Sequence, residues 1–367
     1  MMWLKKLTLL NFKNYTQAEL DFSPTVNVLV GNNGAGKTNL LDAIHYLCLC
    51  KSYFNPIDSQ QIKNGEDLFL VQGHFEKDET IENISCGLKR NQKKSFKRNK
   101  KEYEKLAEHI GLFPLVMVSP YDIGLIMDGS EERRRFIDNV ISQTDARYLD
   151  QLIRYNKHLQ SRNVLLKQAA VKSIDGALLQ VLDEQLVQSG NIIFQKRQQF
   201  LADFIPLFDQ HYQFLVSGEE EVSLRYSSQL AEKSFESLLT DAFDKDRLLE
   251  RTTVGVHKDE LQFEIKGMAL KKFGSQGQQK SFLMALKLAQ YSYLRQNKGY
   301  KPLLLLDDIF DKLDNNRIRK LMEMVSHEDF GQLFITDTHR DRIARIFEDI
   351  CVDIKLFEVA NGELSYA

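Results

Sequence analysis

The octapeptide Gly31-Asn32-Asn33-Gly34-Ala35-Gly36-Lys37-Thr38 restricts what this chain can fold into more than any other stretch. It satisfies G-x-x-x-x-G-K-[ST] at every fixed position and follows the apolar run Val26-Asn27-Val28-Leu29-Val30. It leads into residues 39–49, where Leu40, Leu41, Ile44 and Leu47 share one helical face. A strand, a glycine-rich turn and a helix in that order aim backbone N–H groups and a positive helix end at one point, which makes a site for phosphate oxygens. Lys37 is expected to reach the β- and γ-phosphates as a point charge, and Thr38 to hold Mg²⁺. Asn39, the next residue, is counted with the nucleotide-binding set.

Length and charge bound the rest. At 367 residues the chain exceeds what one core usually holds, so two lobes are expected. Lys plus Arg number 49 against 51 Asp plus Glu, a net charge of −2, so any surface for nucleic acid must be local. The start, Met-Met-Trp-Leu-Lys-Lys-Leu, lacks the apolar core of a secretory signal, and no run approaches the roughly 18 apolar residues of a membrane span. A cytoplasmic protein without a membrane partner is the expectation. Cys48, Cys50, Cys86 and Cys351 have neither disulfide-framework nor zinc spacing, and Cys48 and Cys50 are predicted to end a buried helix as small hydrophobes.

Strands are predicted at residues 3–10, 17–22 and 26–30, with more between 68 and 88. Then eight of the thirteen residues from Lys89 to Lys101 are basic, which reads equally as a phosphate-attracting patch or a solvated hairpin tip. Leu115-Val116-Met117-Val118 is a buried strand ending at Ser119-Pro120. From Ser130 the apolar spacing predicts one continuous helix over about 131–172, roughly 60 Å long. Asp175-Gly176 breaks it, and a second helical stretch runs to Phe204 before Pro206. These form an antiparallel arm, 126–245, inserted between two parts of a nucleotide-binding head, 1–125 and 246–367. Residues 222–226 and 262–265 alternate as strands. Between them Thr252 to Leu261 reads as a strand followed by a charged cluster whose His257 is expected to be structural rather than catalytic.

Leu303-Leu304-Leu305-Leu306-Asp307-Asp308 is an apolar strand with two acids at its carboxyl end. It is expected to lie beside the strand that feeds the phosphate loop, with Asp307 holding Mg²⁺ opposite Thr38 and Asp308 polarising the attacking water. Upstream, Ser275-Gln276-Gly277-Gln278-Gln279 precedes an apolar helix and resembles the signature motif of ATP-binding-cassette ATPases, with Gln276 in place of the first of two glycines. That resemblance implies that the Ser275 hydroxyl and the N–H groups at the helix start address a γ-phosphate held by the opposite protomer, so that ATP joins two chains. Asp311-Lys312-Leu313-Asp314 resembles the D-loop of those ATPases, and His339, after Asp337-Thr338, resembles their switch histidine.

The set as a whole resembles the RecF family of bacterial recombination mediators, related to the structural-maintenance-of-chromosomes (SMC) and Rad50 ATPases. The likeness rests on Leu9-Leu10-Asn11-Phe12-Lys13-Asn14-Tyr15, on GNNGAGKTN, on Val118-Ser119-Pro120 with Glu132-Arg133-Arg134-Arg135-Phe136-Ile137-Asp138, on Gly255-Val256-His257-Lys258-Asp259-Glu260-Leu261 and on Ser275 to Gln279. It implies an α/β P-loop NTPase of the ATP-binding-cassette type, a Rad50/SMC-like head with an inserted helical lobe. It also implies a slow, switch-like ATPase using ATP and Mg²⁺, an ATP-dependent homodimer, and binding to double-stranded DNA near single-strand gaps or junctions. The partners it implies are RecR with RecO and, indirectly, the recombinase RecA. Asp308 stands where most cassette ATPases carry Glu, and Ser119-Pro120-Tyr121-Asp122 stands where they carry a lid glutamine. Three other readings fit the sequence less well. A transporter ATPase subunit fits poorly with the insertion and the basic run, a Rad50-type tether needs far more than about 120 inserted residues, and a nuclease lacks a metal-spaced cluster.

Overall fold

The computed structural model describes residues 2–168, 174–216, 220–309, 315–326, 330–347, 353–360 and 362–366. Two compact units emerge, Met1–Asp122 with Lys280–Ala367, and Ile123–Gln279.

The first unit opens with β1 (Met2–Phe12), β2 (Tyr15–Asp21), β3 (Val26–Val30) and α1 (Lys37–Leu49). It continues with β4 (Leu68–Lys77), β5 (Thr80–Lys89), β6 (Ser95–Arg98), β7 (Lys101–Glu102) and β8 (Leu115–Val118). Six of these strands make an antiparallel sheet in the order β2-β1-β4-β5-β6-β7. A bulge between Leu4 and Lys6 moves the buried positions of β1 from Met2 and Leu4 to Leu7 and Leu9, so the strand keeps its apolar side inward despite the shift in phase.

The second unit holds α2 (Gly124–Met127), α3 (Ser130–Thr144), α4 (Ala146–Gln168), α5 (Gly176–Leu215), β9 (Val222–Ser227), α6 (Phe235–Leu248), β10 (Glu260–Ile265), β11 (Met268–Ala269) and α7 (Leu270–Phe273). The helix expected over about 131–172 is not continuous. Asp145 leaves helical geometry (φ −130°, ψ 100°) and its carboxylate accepts from the Tyr148 N–H at 3.0 Å, starting α4 afresh. Conversely, α5 passes through Pro206 to Leu215. The lost backbone bond is offset by Phe204, Phe208, Tyr212 and Leu215, all buried on one face. No strand forms at 252–256; Gly255, at φ 116°, turns the chain into a 3₁₀ turn before β10. The helical stretch placed at 126–245 is the larger part of this unit, which also takes in β10, β11, α7 and the residues that follow to Gln279.

Then come α8 (Gln276–Lys298), β12 (Leu303–Leu306), α9 (Asn315–Ser326), β13 (Leu333–Asp337), α10 (Arg340–Phe347), β14 (Ile354–Ala360) and β15 (Glu363–Tyr366). The second sheet of the first unit runs β15-β14-β3-β13-β12-β8, all parallel except β15. β12 is therefore not next to β3, as the sequence reading had it. β13 lies between them, and its terminal Thr336 and Asp337 reach the same edge as the phosphate loop. Every residue of β3, β8, β12 and β13 is buried, as expected of strands covered on both faces. α1 packs on β1, β4 and β5 of one sheet and on β8 and β13 of the other, which explains why ten of its thirteen residues are buried.

Candidate functional site

The loop after β3 is held by close backbone approaches. A Cβ on Gly31 would lie 2.2 Å from the Val359 carbonyl of β14, and one on Gly36, at φ 120°, 2.5 Å from Asn14 Nδ2. Asn14 Nδ2 donates to the Ala35 carbonyl (3.1 Å), Tyr15 Oη to the Gly36 carbonyl (3.0 Å), and Asn39 Nδ2 to Asn14 Oδ1 (2.7 Å). Lys37 Nζ donates back to the carbonyls of Gly31 (2.5 Å) and Asn32 (2.9 Å). Burial lowers the pKa of this ammonium, while Asp308, Asp307 and Asp337 act to raise it.

Opposite the loop, Thr38 Oγ1 donates to both oxygens of Asp307 (2.9 and 3.1 Å). Thr336 Oγ1 donates to Asp307 Oδ1 and accepts from the Asp308 N–H, each at 2.9 Å. Burial pushes Asp307 above the ordinary carboxylate range, against the pull of the Thr336 and Thr38 hydroxyls. Asp308 is held in the left-handed region (φ 48°), and its buried Oδ1 has no hydrogen-bond partner among the described residues. Strain and an orphaned acceptor at one residue mark a position shaped for a ligand rather than for packing. A pocket of about 200 Å³ is lined by Asn33, Gly34, Gly36, Lys37, Thr38, Asn39, Asp307 and Asp308, joined by Thr336.

The donor set suits Mg²⁺. One hydroxyl and one carboxylate are hard oxygen ligands, and Mg²⁺ typically takes one or two such ligands and fills its shell with water and phosphate oxygens. Among the described residues no cluster of three His, Cys, Asp or Glu side chains could hold a metal by itself.

Other predicted residues stand apart from this pocket. Ala35 is buried behind the loop. His339 carries an exposed ring, while its backbone N–H donates to Asp337 Oδ1 (2.6 Å), which also pairs with Arg342 (2.7 Å). Residues 311–314 of the D-loop resemblance, and Cys351, lie outside the described residues. Asp122, in the place of the lid glutamine, is buried in an ion pair with Lys287 (2.6 Å) and bonded to Tyr53, so its carboxylate is already committed.

In the second unit Ser275 and Gln278 cap α8 reciprocally. The Ser275 N–H donates to Gln278 Oε1 (2.8 Å) and the Gln278 N–H to Ser275 Oγ (3.3 Å). Ser275 and Gln276 are exposed and Gly277 and Gln278 half-buried, with Gln278 also bonded to Glu220. None of them lines the pocket. The runs 132–138 and 255–261 meet within this unit. Arg133 pairs with Glu260 (2.9 Å), Arg134 donates to the Asp259 carbonyl (2.7 Å), and the buried Arg197 bridges Asp138 (2.9 Å) and Asp259 (2.7 Å). His257 is bonded to Tyr155 and to the Thr252 carbonyl, and burial lowers it to about 4, a structural histidine.

The basic run is the β5–β6 hairpin and the turn beyond it. Lys94 pairs with Asp58 (2.9 Å) and donates to the Cys50 carbonyl (2.6 Å), and Arg98 pairs with Glu82. Lys93, Lys100 and Lys101 are exposed and Lys97 half-exposed.

Sequence reasoning missed the site roles of Asn14, Tyr15 and Thr336. The first two lie between the strands predicted at residues 3–10 and 17–22, in the run that carries the family resemblance. Thr336 ends a strand whose place in the sheet is invisible in a linear sequence.

The model of the RecF/RecN/SMC N-terminal domain matches residues 3–362. The DNA replication and repair proteins RecF of Flavobacterium johnsoniae and Parabacteroides distasonis are 51% and 50% identical to this chain, covering 98% and 99% of it and 100% and 99% of their own lengths. The solved structure of the recombination mediator protein RecF-ATP in the RecFOR pathway superposes with a TM-score of 0.91 at 30% identity, covering 100% of this chain and 98% of that one. The Smc head domain of Pyrococcus furiosus, at a TM-score of 0.58 and 17% identity over 100% of this chain and 96% of its own, shares the fold.

Proposed function

The chain belongs to the RecF family, within the RecF/RecN/SMC group, and on that premise we propose that it is an ATP-gated DNA-binding protein of replication and recombinational repair. Two copies close on ATP, the closed form binds double-stranded DNA near single-strand gaps or junctions, and hydrolysis reopens it. With RecR and RecO as partners, the closed form helps load RecA. The setting is cytoplasmic; among the described residues no helix is long and apolar enough to cross a membrane.

One observation carries this reading: Thr38, Asp307, Thr336 and Asp308 form a single hydrogen-bonded cluster facing Lys37 at the carboxyl ends of β3, β12 and β13. On binding, Lys37 exchanges the Gly31 and Asn32 carbonyls for β- and γ-phosphate oxygens. Thr38 and Asp307 hold Mg²⁺, which when bound neutralises charge on those oxygens. Asp308 orients the attacking water through its unpartnered Oδ1, and its short side chain suits a slow switch rather than a motor. The exposed start of α8 at Ser275, with Gln276, Gly277 and Gln278, addresses the γ-phosphate of the other copy, and His339 faces the same phosphate from its own chain once the dimer forms. The exposure of both segments supports a site completed in trans.

The test is titration of a fluorescent ATP analogue into wild type and Lys37→Ala. Loss of binding in the variant is expected, because a triphosphate cradled by N–H groups loses its one lysine partner. Affinity retained within about threefold would remove the nucleotide assignment.

A further inference from the structure

Resting on the reading of residues 31–38 as a triphosphate site, we infer that Asn14 and Tyr15 are positioning residues that aim two N–H groups of the phosphate loop. In a trans peptide the C=O and N–H point to opposite sides, so fixing one fixes the other. The Ala35 carbonyl accepts from Asn14 Nδ2 (3.1 Å) and from the Gly362 N–H (3.0 Å). The N–H of the same peptide, on Gly36, is thereby turned the other way. The Gly36 carbonyl accepts from Tyr15 Oη (3.0 Å) and from the Leu40 N–H (3.1 Å), which turns the Lys37 N–H the other way in turn.

Asn14 and Tyr15 are not among the pocket-lining residues, whereas Gly36 and Lys37 are. The side chains therefore hold the carbonyl side of the loop, and the N–H side belongs to the pocket. The clamp is itself held. Asn39 Nδ2 donates to Asn14 Oδ1 (2.7 Å), which leaves the Asn14 amide nitrogen to face the loop, and Lys13, beside them, pairs with the fully buried Asp42 of α1 (2.5 Å). Tyr15 is fully buried. Gly36 has no Cβ because the clamp occupies that space: an added Cβ would lie 2.5 Å from the Asn14 amide and 3.0 Å from the Tyr15 hydroxyl. Preorganised donors bind an anion without spending affinity on ordering the loop.

The experiment uses the full chain as wild type, Tyr15→Phe, Asn14→Ala and the double variant. ATP affinity is measured by titration, stability by the urea midpoint, and the Gly36 and Lys37 amide resonances are followed as inorganic triphosphate is added. Each single variant is expected to weaken ATP binding roughly five- to tenfold, with the urea midpoint lowered by no more than about 0.5–1 M and the protein fully folded in the titration. Asn14→Ala should blunt the triphosphate response of Gly36, and Tyr15→Phe that of Lys37. Affinities within twofold of wild type, or weakened binding with the Gly36 and Lys37 amides responding to triphosphate as in wild type, overturn the inference. Should Asn14→Ala fail to fold, Tyr15→Phe, which removes one oxygen, decides alone. A wild type that binds no ATP instead refutes the nucleotide site itself.

Discussion

Arg197→Met isolates what joins the two motifs that most distinguish this chain from a generic nucleotide-binding head. Arg197 is 2% exposed and ion-pairs with Asp138 and Asp259, and it donates to the Val256 carbonyl at 2.7 Å. Methionine keeps most of the apolar volume but leaves Asp259, 2% exposed, without its cation. Removing one partner of a buried ion pair costs about 3–5 kcal/mol, because the remaining charge stays buried and uncompensated. That is a large share of a typical domain stability of about 5–15 kcal/mol. With a urea slope of about 2 kcal/mol/M, the midpoint should fall by roughly 1.5–2.5 M. Far-ultraviolet circular dichroism is the suitable readout, since α3, α4, α5 and α6 all lie in this unit. Adding Asp259→Asn to Arg197→Met should recover part of the loss by removing the stranded charge. A single-variant cost below about 1 kcal/mol would show that Asp138 and Asp259 do not depend on Arg197.

Protonation offers a second check. His45, His109 and His257 are each lowered by burial from 6.5 to about 4, so the unfolded chain takes up these protons first. Stability should fall as pH drops from about 6.5 to about 4, by up to about 3 kcal/mol for each ring, and a flat urea midpoint from pH 7 to pH 5 would contradict it. For DNA, Lys93→Gln with Lys97→Gln should flatten the salt dependence of binding by about two units of slope, whereas Arg98→Gln should act mainly through the hairpin it ties to Glu82; an unchanged slope in the lysine pair would make the hairpin a mere solvated edge. Ser275→Arg should abolish ATP-driven dimerisation while a monomer still binds ATP. Ser275→Arg also removes a helix cap worth about 1 kcal/mol, so the monomer's ATP affinity is read alongside, and its equal loss would place Ser275 in the site of its own chain.

Much of the site was legible because its parts are local in sequence. The phosphate loop needs a strand before it and a helix after it, and both are periodic segments flanking residues 31–38. Asp307 was legible as the end of an apolar run. What the sequence could not provide was adjacency across the sheet. β13 sits between β3 and β12, so Thr336, not a residue of either predicted motif, is the one that bonds to Asp307 and Asp308. Helix boundaries failed for a related reason. Asp145 falls inside the apolar spacing that predicts one helix, yet its carboxylate caps α4, and the apolar face of α5 continues past Pro206 to Leu215. Nor does the basic run show which of its charges are paired, because Glu82 and Asp58, partners of Arg98 and Lys94, lie outside it in sequence.

Sedimentation of wild type and Asp308→Asn, with and without ATP and with and without gapped DNA, tests the central claim most directly. If the pocket is completed by a second copy, ATP should convert both proteins from monomer to dimer. Asp308→Asn should stay dimeric and DNA-bound long after wild type has hydrolysed its nucleotide and separated. An ATP-bound chain that sediments only as monomer under every condition would contradict the account.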